Sequence, residues 1–175
     1  MMEQLYITSE KAKELKRDKS LVKSLEHLCS CKITIEGDDL IQIDGDAYGE
    51  FSAKGILFAY GRGFNMDTAR KLVGDEYYFS SIDIGQVFGN EKRVHQMKAR
   101  IIGEGGRTKT YIEEVSGAKL SVYGDTVSFI GSITQINEAE TAVNTLLEGG
   151  THKLAYARME EAHRKNKRQQ HDAHF

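Results

Sequence analysis

"RIIGEGGRTKTYIEEVSGAKLSVYGDTVSFIG", residues 100–131, decides how the chain is read. Its first half breaks a helical pattern with Gly103, Gly105 and Gly106. Its second half alternates apolar and polar residues around Gly124-Asp125, a β-hairpin pattern. Upstream, "NEKRVHQMKARII" sets Val94, Met97 and Ile101 at helical spacing. A second short helix over about Arg107–Val115 turns Tyr111, Ile112 and Val115 inward. Downstream, "SITQINEAETAVNTLLEGG" lines up Ile136, Ala139, Val143 and Leu146 before Gly149 and Gly150 stop the helix. "YYFSSIDIGQVFG", residues 77–89, supplies a preceding strand. The order is β-α-α-β-β-α, in which helices cover one face of a three-stranded antiparallel sheet.

The hairpin occurs twice. "CKITIEGDDLIQI", residues 31–43, repeats as "AKLSVYGDTVSFI", residues 118–130. At a constant offset of 87, Lys32 meets Lys119, Ile35 meets Val122, Gly37 meets Gly124, Asp38 meets Asp125 and Ile43 meets Ile130. Carried backwards without a gap, the offset pairs Leu28 with Val115, Leu25 with Ile112 and Leu15 with Ile102. The first copy has a strand in "MEQLYITS", short helices in "EKAKELK" and "SLVKSLEHL", and a helix in "DAYGEFSAKGILFAYGRG" interrupted by Gly49 and Gly55. "NMDTARKLV" gives one more short helix. An internal repeat of this kind means two α+β domains. Their expected bounds are 1–75 and 76–150, with a basic C-terminal helix or tail over 151–175. The offset also sets Lys16-Arg17-Asp18-Lys19 against the glycine loop. No glycine remains there, so bulky side chains are expected to block close approach of another backbone.

Bulk composition is that of an ordinary globular chain: 175 residues, 39% hydrophobic, 29% charged, net charge −2. No run of apolar residues reaches membrane-spanning length. The first residues lack the apolar core of a secretory signal, so a cytoplasmic protein is expected. Charge is unevenly spread. Residues 1–90 hold 11 Lys+Arg against 15 Asp+Glu, and residues 91–175 hold 13 against 11. Between Lys92 and Lys109 there are six basic residues and one acid, Glu104. Such a patch is a footprint for an anion. His27, Cys29 and Cys31 form H-x-C-x-C in what reads as an extended segment. A zinc site wants a second separated pair, so reduced and partly buried thiols are expected rather than a metal. Glu113 and Glu114 face different ways, and His95 has no carboxylate or nucleophile beside it in the pattern. No catalytic constellation is present, and neither an enzyme nor a cofactor is expected.

The glycine loop fits only one phosphate-binding pattern. A Walker loop needs G-x-x-x-x-G-K-[ST], and a dinucleotide fingerprint needs a third glycine where Thr108 stands. A kinase loop lies on a hairpin, and nothing else of a kinase is present. The fourth pattern is I-G-x-x-G between two helices of β-α-α-β-β-α. Here "RIIGEGGRTKTYIEEVSGAKLSVYGDTVSFIG" resembles a K-homology (KH) domain, with Gly103-Glu104-Gly105-Gly106 as its G-x-x-G loop. The resemblance implies two tandem type I KH domains, the first degenerate and the second intact, plus the C-terminal helix. It also implies a clamp on about four nucleotides of single strand. Small residues let the sugar-phosphate backbone approach, and N–H groups at the helix start face the phosphates. The RNA-binding residues it implies are Lys98, Arg100, Ile102, Gly103, Glu104, Gly105, Gly106, Arg107, Lys109, Lys119 and Val122. Bases would lie in a groove among Ile101, Ile102, Ile112, Leu120 and Val122. Glu104 departs from the usual pattern, where a basic or neutral residue stands.

With "AYGRGFNMDTARKLV", "AETAVNTLLEGGTH" and "YARMEEAHRKNKR", nearly the whole chain resembles the archaeal branch of the Krr-like and partner-of-Nob (Dim-two) family of small-ribosomal-subunit assembly factors. That resemblance implies binding to single-stranded rRNA at the 3′ region of small-subunit rRNA and help in pre-rRNA processing. The partners it implies are the rRNA dimethyltransferase, the rRNA-processing endonuclease and the alpha subunit of translation initiation factor two. A monomer is expected. The tail "THKLAYARMEEAHRKNKRQQHDAHF" has six Lys+Arg and four of the six His residues. Ala155, Met159 and Ala162 give it an apolar stripe, and Arg164, Lys165, Lys167 and Arg168 extend the basic surface. The alternative reading is a protein-docking scaffold with little RNA affinity of its own.

Overall fold

Two antiparallel three-stranded sheets carry the two copies of the repeat in the computed structural model, which describes residues 2–174. The chain divides into unit 1, Met1–Asp75, and unit 2, Glu76–Phe175. Unit 1 comprises β1 (Glu3–Tyr6), α1 (Ser9–Arg17), α2 (Lys19–Cys29), β2 (Cys31–Glu36), β3 (Leu40–Gly45), α3 (Ala47–Gly61) and α4 (Met66–Ala69). Unit 2 comprises β4 (Tyr78–Asp83), α5 (Ile84–Phe88), α6 (Glu91–Ile102), α7 (Arg107–Ser116), β5 (Lys119–Tyr123), β6 (Thr126–Gly131), α8 (Ile133–Leu147) and α9 (His152–Ala173). Strand order is β1-β3-β2 in one sheet and β4-β6-β5 in the other. The order β-α-α-β-β-α is thus present in both units, with α5 added in unit 2. Alternation along β6 sends Val127 and Phe129 into a core with Val94, Met97 and Ile101 of α6, Ile112 of α7 and Val143 of α8. The last helix is part of this core: Ala155 and Met159 are fully buried.

The two copies do not align at a single offset. Helix α1 starts at an N-cap on Thr8 and α6 at one on Asn90, an offset of 82. The same offset brings buried Ala12 and Leu15 onto buried Val94 and Met97. Leu25 and Ile112, both buried, keep the offset of 87. Unit 2 therefore has five more residues around its glycine loop, and Leu15 does not correspond to Ile102. In unit 1 a single residue, Asp18, ends α1 and begins α2. Its carboxylate accepts from Leu21 N at 3.0 Å and from Ser20 Oγ at 2.7 Å, which holds its pKa below the usual carboxylate range. The hairpins also differ by one residue. Glu36 pairs with Leu40 across a three-residue turn, whereas Tyr123 pairs with Thr126 across two. Beyond the turn the offset becomes 86, so Ile43 corresponds to Phe129 and not to Ile130. Helix α3 also runs without a break through Gly49 and Gly55. Gly49 is there for space: a Cβ would stand 2.3 Å from the Cys29 carbonyl oxygen.

One bond is the same in both units. Strands β2 and β5 are sheet edges, whose outward N–H groups lack a strand partner. Glu26 Oε1 on α2 accepts from Ile33 N at 2.8 Å, and Glu113 Oε1 on α7 accepts from Leu120 N at 2.9 Å. Both pairs obey the offset of 87. Each carboxylate pins the second helix to the edge strand beside it. Cys29 and Cys31 are free thiols, and they do not lie in an extended segment. Cys29 ends α2, Ser30 turns through the left-handed region at φ 52°, and Cys31 opens β2. Among the described residues no group of three or more His, Cys, Asp or Glu comes together to hold a metal ion.

Removing the edge-strand acceptor leaves a part-buried N–H unpaired. Glu113→Ala is expected to cost about 1–3 kcal/mol and to speed hydrogen exchange at the Leu120 amide, with Glu113→Gln recovering most of the loss. Glu26→Ala should do the same at Ile33. Burial pushes the Cys31 thiol up to about 11, and Cys29 moves in the same direction for the same reason. Both thiols stay neutral below their ordinary pKa, and the stability tied to the neutral form falls as pH climbs towards 11. Alkylation of the folded chain by iodoacetamide should therefore be slow at pH 8 and keep rising with pH towards about 11, the value to which the Cys31 thiol is pushed, whereas the unfolded chain should level off near the ordinary thiol pKa.

Candidate nucleic-acid interface

Gly103 ends α6 at φ 75°, ψ 169°, backbone that other residues scarcely adopt. Its N–H donates to the Ala99 carbonyl at 2.8 Å. A Cβ here would lie 2.3 Å from Thr108 Oγ1 and 2.7 Å from Thr108 N. The close approach folds the loop back on the first turn of α7. Glu104–Gly106 form one 3₁₀ turn, with Gly105 at φ 63° and Gly106 at φ 79°. Nothing lies within 4 Å of where their Cβ atoms would be, so the loop presents bare backbone to open space. Helix α7 then starts at Gly106 with no side-chain cap. Among the described residues every other α-helix has one, from Thr8, Asp18, Asp46, Asn65, Asp83, Asn90, Ser132 or Thr151. Uncapped N–H groups at a helix start carry partial positive charge and suit an anion.

The side chains expected around this loop divide into engaged and free groups. Arg100 is part-buried; its guanidinium donates to the Leu146 carbonyl at 2.8 Å and to the Gly150 carbonyl. It ties the end of α6 to the end of α8. Lys98 reaches Asp125 of the β5–β6 turn at 3.5 Å, and Lys109 reaches Glu113 Oε1 at 3.1 Å. Arg107 and Lys119 are exposed and have no partner among the described residues. Glu104 is exposed on the loop itself. Ile102 and Val122 are half-buried, so each keeps part of its side chain open to solvent. Ile101, Ile112 and Leu120 are core: they are 0%, 0% and 3% exposed, so the expected groove loses three of its five apolar residues. In unit 1 the corresponding junction is closed, and Lys16 donates to the Gly37 carbonyl of its own hairpin turn.

The tail reaches the site by residues other than those expected. Arg164, Lys165, Lys167 and Arg168 lie exposed on α9. Beside the glycine loop stand instead His152 and Tyr156 from the start of that helix. The sequence carried only a faint sign of this: Tyr156 follows Ala155, the first residue of the buried stripe. A packing test separates the loop glycines. Gly103→Ala should destabilise unit 2 by roughly 3 kcal/mol, from forbidden backbone and overlap with Thr108. Gly106→Ala, in the left-handed region with open space, should cost about 1–2 kcal/mol. Chemical denaturation of the two variants checks the ranking.

Known proteins share this fold. The model of the second KH domain of PNO1, described as a eukaryotic-type KH domain (KH-domain type I), matches residues 78–164. A KH domain-containing protein of Methanocaldococcus jannaschii is 36% identical over 151 residues, which span 83% of this chain and 66% of that protein. The pre-rRNA-processing protein pno1 of Schizosaccharomyces pombe is 30% identical over 113 residues, 62% of this chain and 47% of that one. The chain thus spans about half to two thirds of the length of these relatives. The crystal structure of Dim2p from Pyrococcus horikoshii matches at a TM-score of 0.81 and 33% identity, over 92% of this chain and 99% of that chain. A structure described as the a/eIF2alpha–aDim2p–rRNA complex of the same organism matches at 0.82 and 31%, over 94% and 95%. By the family model, the shared identity and the matched fold together, the chain belongs to the PNO1/Dim2 family of KH-domain proteins.

Proposed function

We propose that this protein is a cytoplasmic RNA-binding factor of small-ribosomal-subunit maturation. Unit 2 clamps single-stranded RNA from the 3′ region of small-subunit rRNA, and the bound protein assists pre-rRNA processing. The observation that carries this reading is the bare backbone of Gly105–Gly106 ahead of the uncapped start of α7. Two phosphates of a strand lie there against N–H groups, Arg107 adds charge, and bases rest on Ile102 and Val122. Lys119 on β5 and Lys109 on α7 add positive charge for the strand, Lys109 once it leaves Glu113. Arg100 acts by holding the end of α6 rather than by touching RNA. Unit 1 lacks both the loop and the uncapped helix start, so it takes no strand in this way. The reading is of a binder without a catalytic step.

A second reading has its own observation. Helix α3 of unit 1 exposes Tyr48 at 65% and Phe51 at 77%, one turn apart, with Phe58 further along the same stripe. Exposed aromatic stripes mark protein contacts. Unit 1 then docks a protein while unit 2 holds RNA. The candidates are the initiation factor alpha subunit named with the Pyrococcus complex, the rRNA dimethyltransferase and the processing endonuclease.

Fluorescence anisotropy with short strands from the 3′ end of small-subunit rRNA tests the clamp. Changing Glu104→Asp together with Gly105→Asp should abolish binding while circular dichroism stays the same, because Asp tolerates the left-handed backbone and its charge repels phosphate. The logarithm of affinity should fall with that of salt by about 0.7 per phosphate neutralised. Unchanged affinity in the double variant would sink the clamp. Partner capture that persists after nuclease treatment would favour docking through unit 1.

A further inference from the structure

Behind the loop, on the side of α9, lies a cavity of ≈ 570 Å³. Gly103 and Glu104 form its rim, Arg107 and Tyr111 of α7 one wall, and His152 and Tyr156 of α9 the other. Its rings are held in place. Tyr111 and Tyr156 have ring centroids 4.5 Å apart at 55°, and His152 meets Tyr156 edge-on at 6.2 Å. Tyr156 donates to Thr108 Oγ1 at 3.2 Å, and Tyr111 donates to Glu160. That second bond pushes the Tyr111 phenol above its ordinary pKa, so it remains a donor. His152 Nε2 donates to the Arg100 carbonyl at 2.9 Å in the last turn of α6. Thr108, which Tyr156 holds, is also the residue that Gly103 closes upon. The pocket and the glycine loop therefore share one wall.

The geometry points to a nucleobase as the occupant of this pocket. Resting on the RNA-binding reading above, we assign it to a nucleotide next to those clamped by the loop, turned out of the strand and stacked against Tyr156. Three features favour a base over another apolar group. Fixed aromatic faces suit a flat heterocycle, and such stacking is the usual grip on single strands. Arg107 has no partner among the described residues and stands where the next phosphate would pass. Glu104 is an acceptor without a donor function and lies at the pocket's rim, where the edge of an inserted base would come. A carboxylate accepts hydrogen bonds from exocyclic amino groups. Adenine, cytosine and guanine carry such a group at their edge, while uracil offers only its ring N3–H, so an amino-bearing base is the expected occupant. This gives a use to the one acid in an otherwise basic stretch.

The test uses the full chain and single strands of four to eight nucleotides, read by anisotropy. Adding the nucleotide that enters the pocket should raise affinity roughly tenfold. An abasic nucleotide at that position should lose the gain in the unchanged protein. Tyr156→Leu should lose it as well, and the abasic strand should bind that variant no worse than the intact strand. Glu104→Gln should narrow the preference for an amino-bearing base over uracil. Affinity that ignores strand length, in a protein whose loop double variant still abolishes binding, overturns the pocket and leaves the clamp standing. Failure of every strand to bind overturns both.

Discussion

A carboxylate on the second helix accepts from the outward N–H of the edge strand in each unit and sets the helix against that edge. Glu26 and Glu113 fill the same position, and each satisfies a donor that water would otherwise have to reach. Without it the register of helix against sheet edge would rest on apolar packing alone, which is not directional. In unit 2 the consequence is larger. The same oxygen also receives Lys109, so one acceptor orders the helix, the strand and a cation beside the loop. The backbone that the loop exposes ahead of that helix is steadied where the helix is held at its second turn.

Much of this was legible in the sequence, and the reasons are physical. Alternation and helical spacing announced the strands and the helices because burial imposes those periods on the chain. The glycine loop was legible because few residues other than glycine fit left-handed backbone. The repeat was visible wherever the two copies share length. The offset failed where a local insertion left buried positions matched in type but not in number. Thus Leu15 seemed to meet Ile102, when caps and burial place it with Met97. Glycine in α3 read as a break, yet the helix continues, since packing against Cys29 outweighs a weak helix former.

What stayed hidden was contact between residues far apart in the chain. Arg100 sits in a basic stretch and counts as an RNA cation by pattern. Its partners, the carbonyls of Leu146 and Gly150, lie some fifty residues on, at the end of another helix. Glu113 looked like one of two idle surface acids, although Glu26 at the same offset was in plain view. Tyr111 and Tyr156 are unremarkable on their own helices and become a pair only when α9 lies along α7. The apolar groove was overestimated for a related reason: an isoleucine in a helix does not declare whether it faces the core or a ligand.

The single residue between α1 and α2 bears on how the two units diverged. Asp18 serves two helices at once, so the backbone there has no slack. Exchanging its neighbours for glycine would soften the junction without supplying the contour length a loop needs. At this junction the two units thus differ in length, by five residues, and not by substitutions alone. Point substitution can remove the exposed glycine backbone of the second unit, but substitution alone cannot supply it to the first. Asymmetry between the copies is in this sense ratcheted, and each is free to specialise without reverting to the other's task.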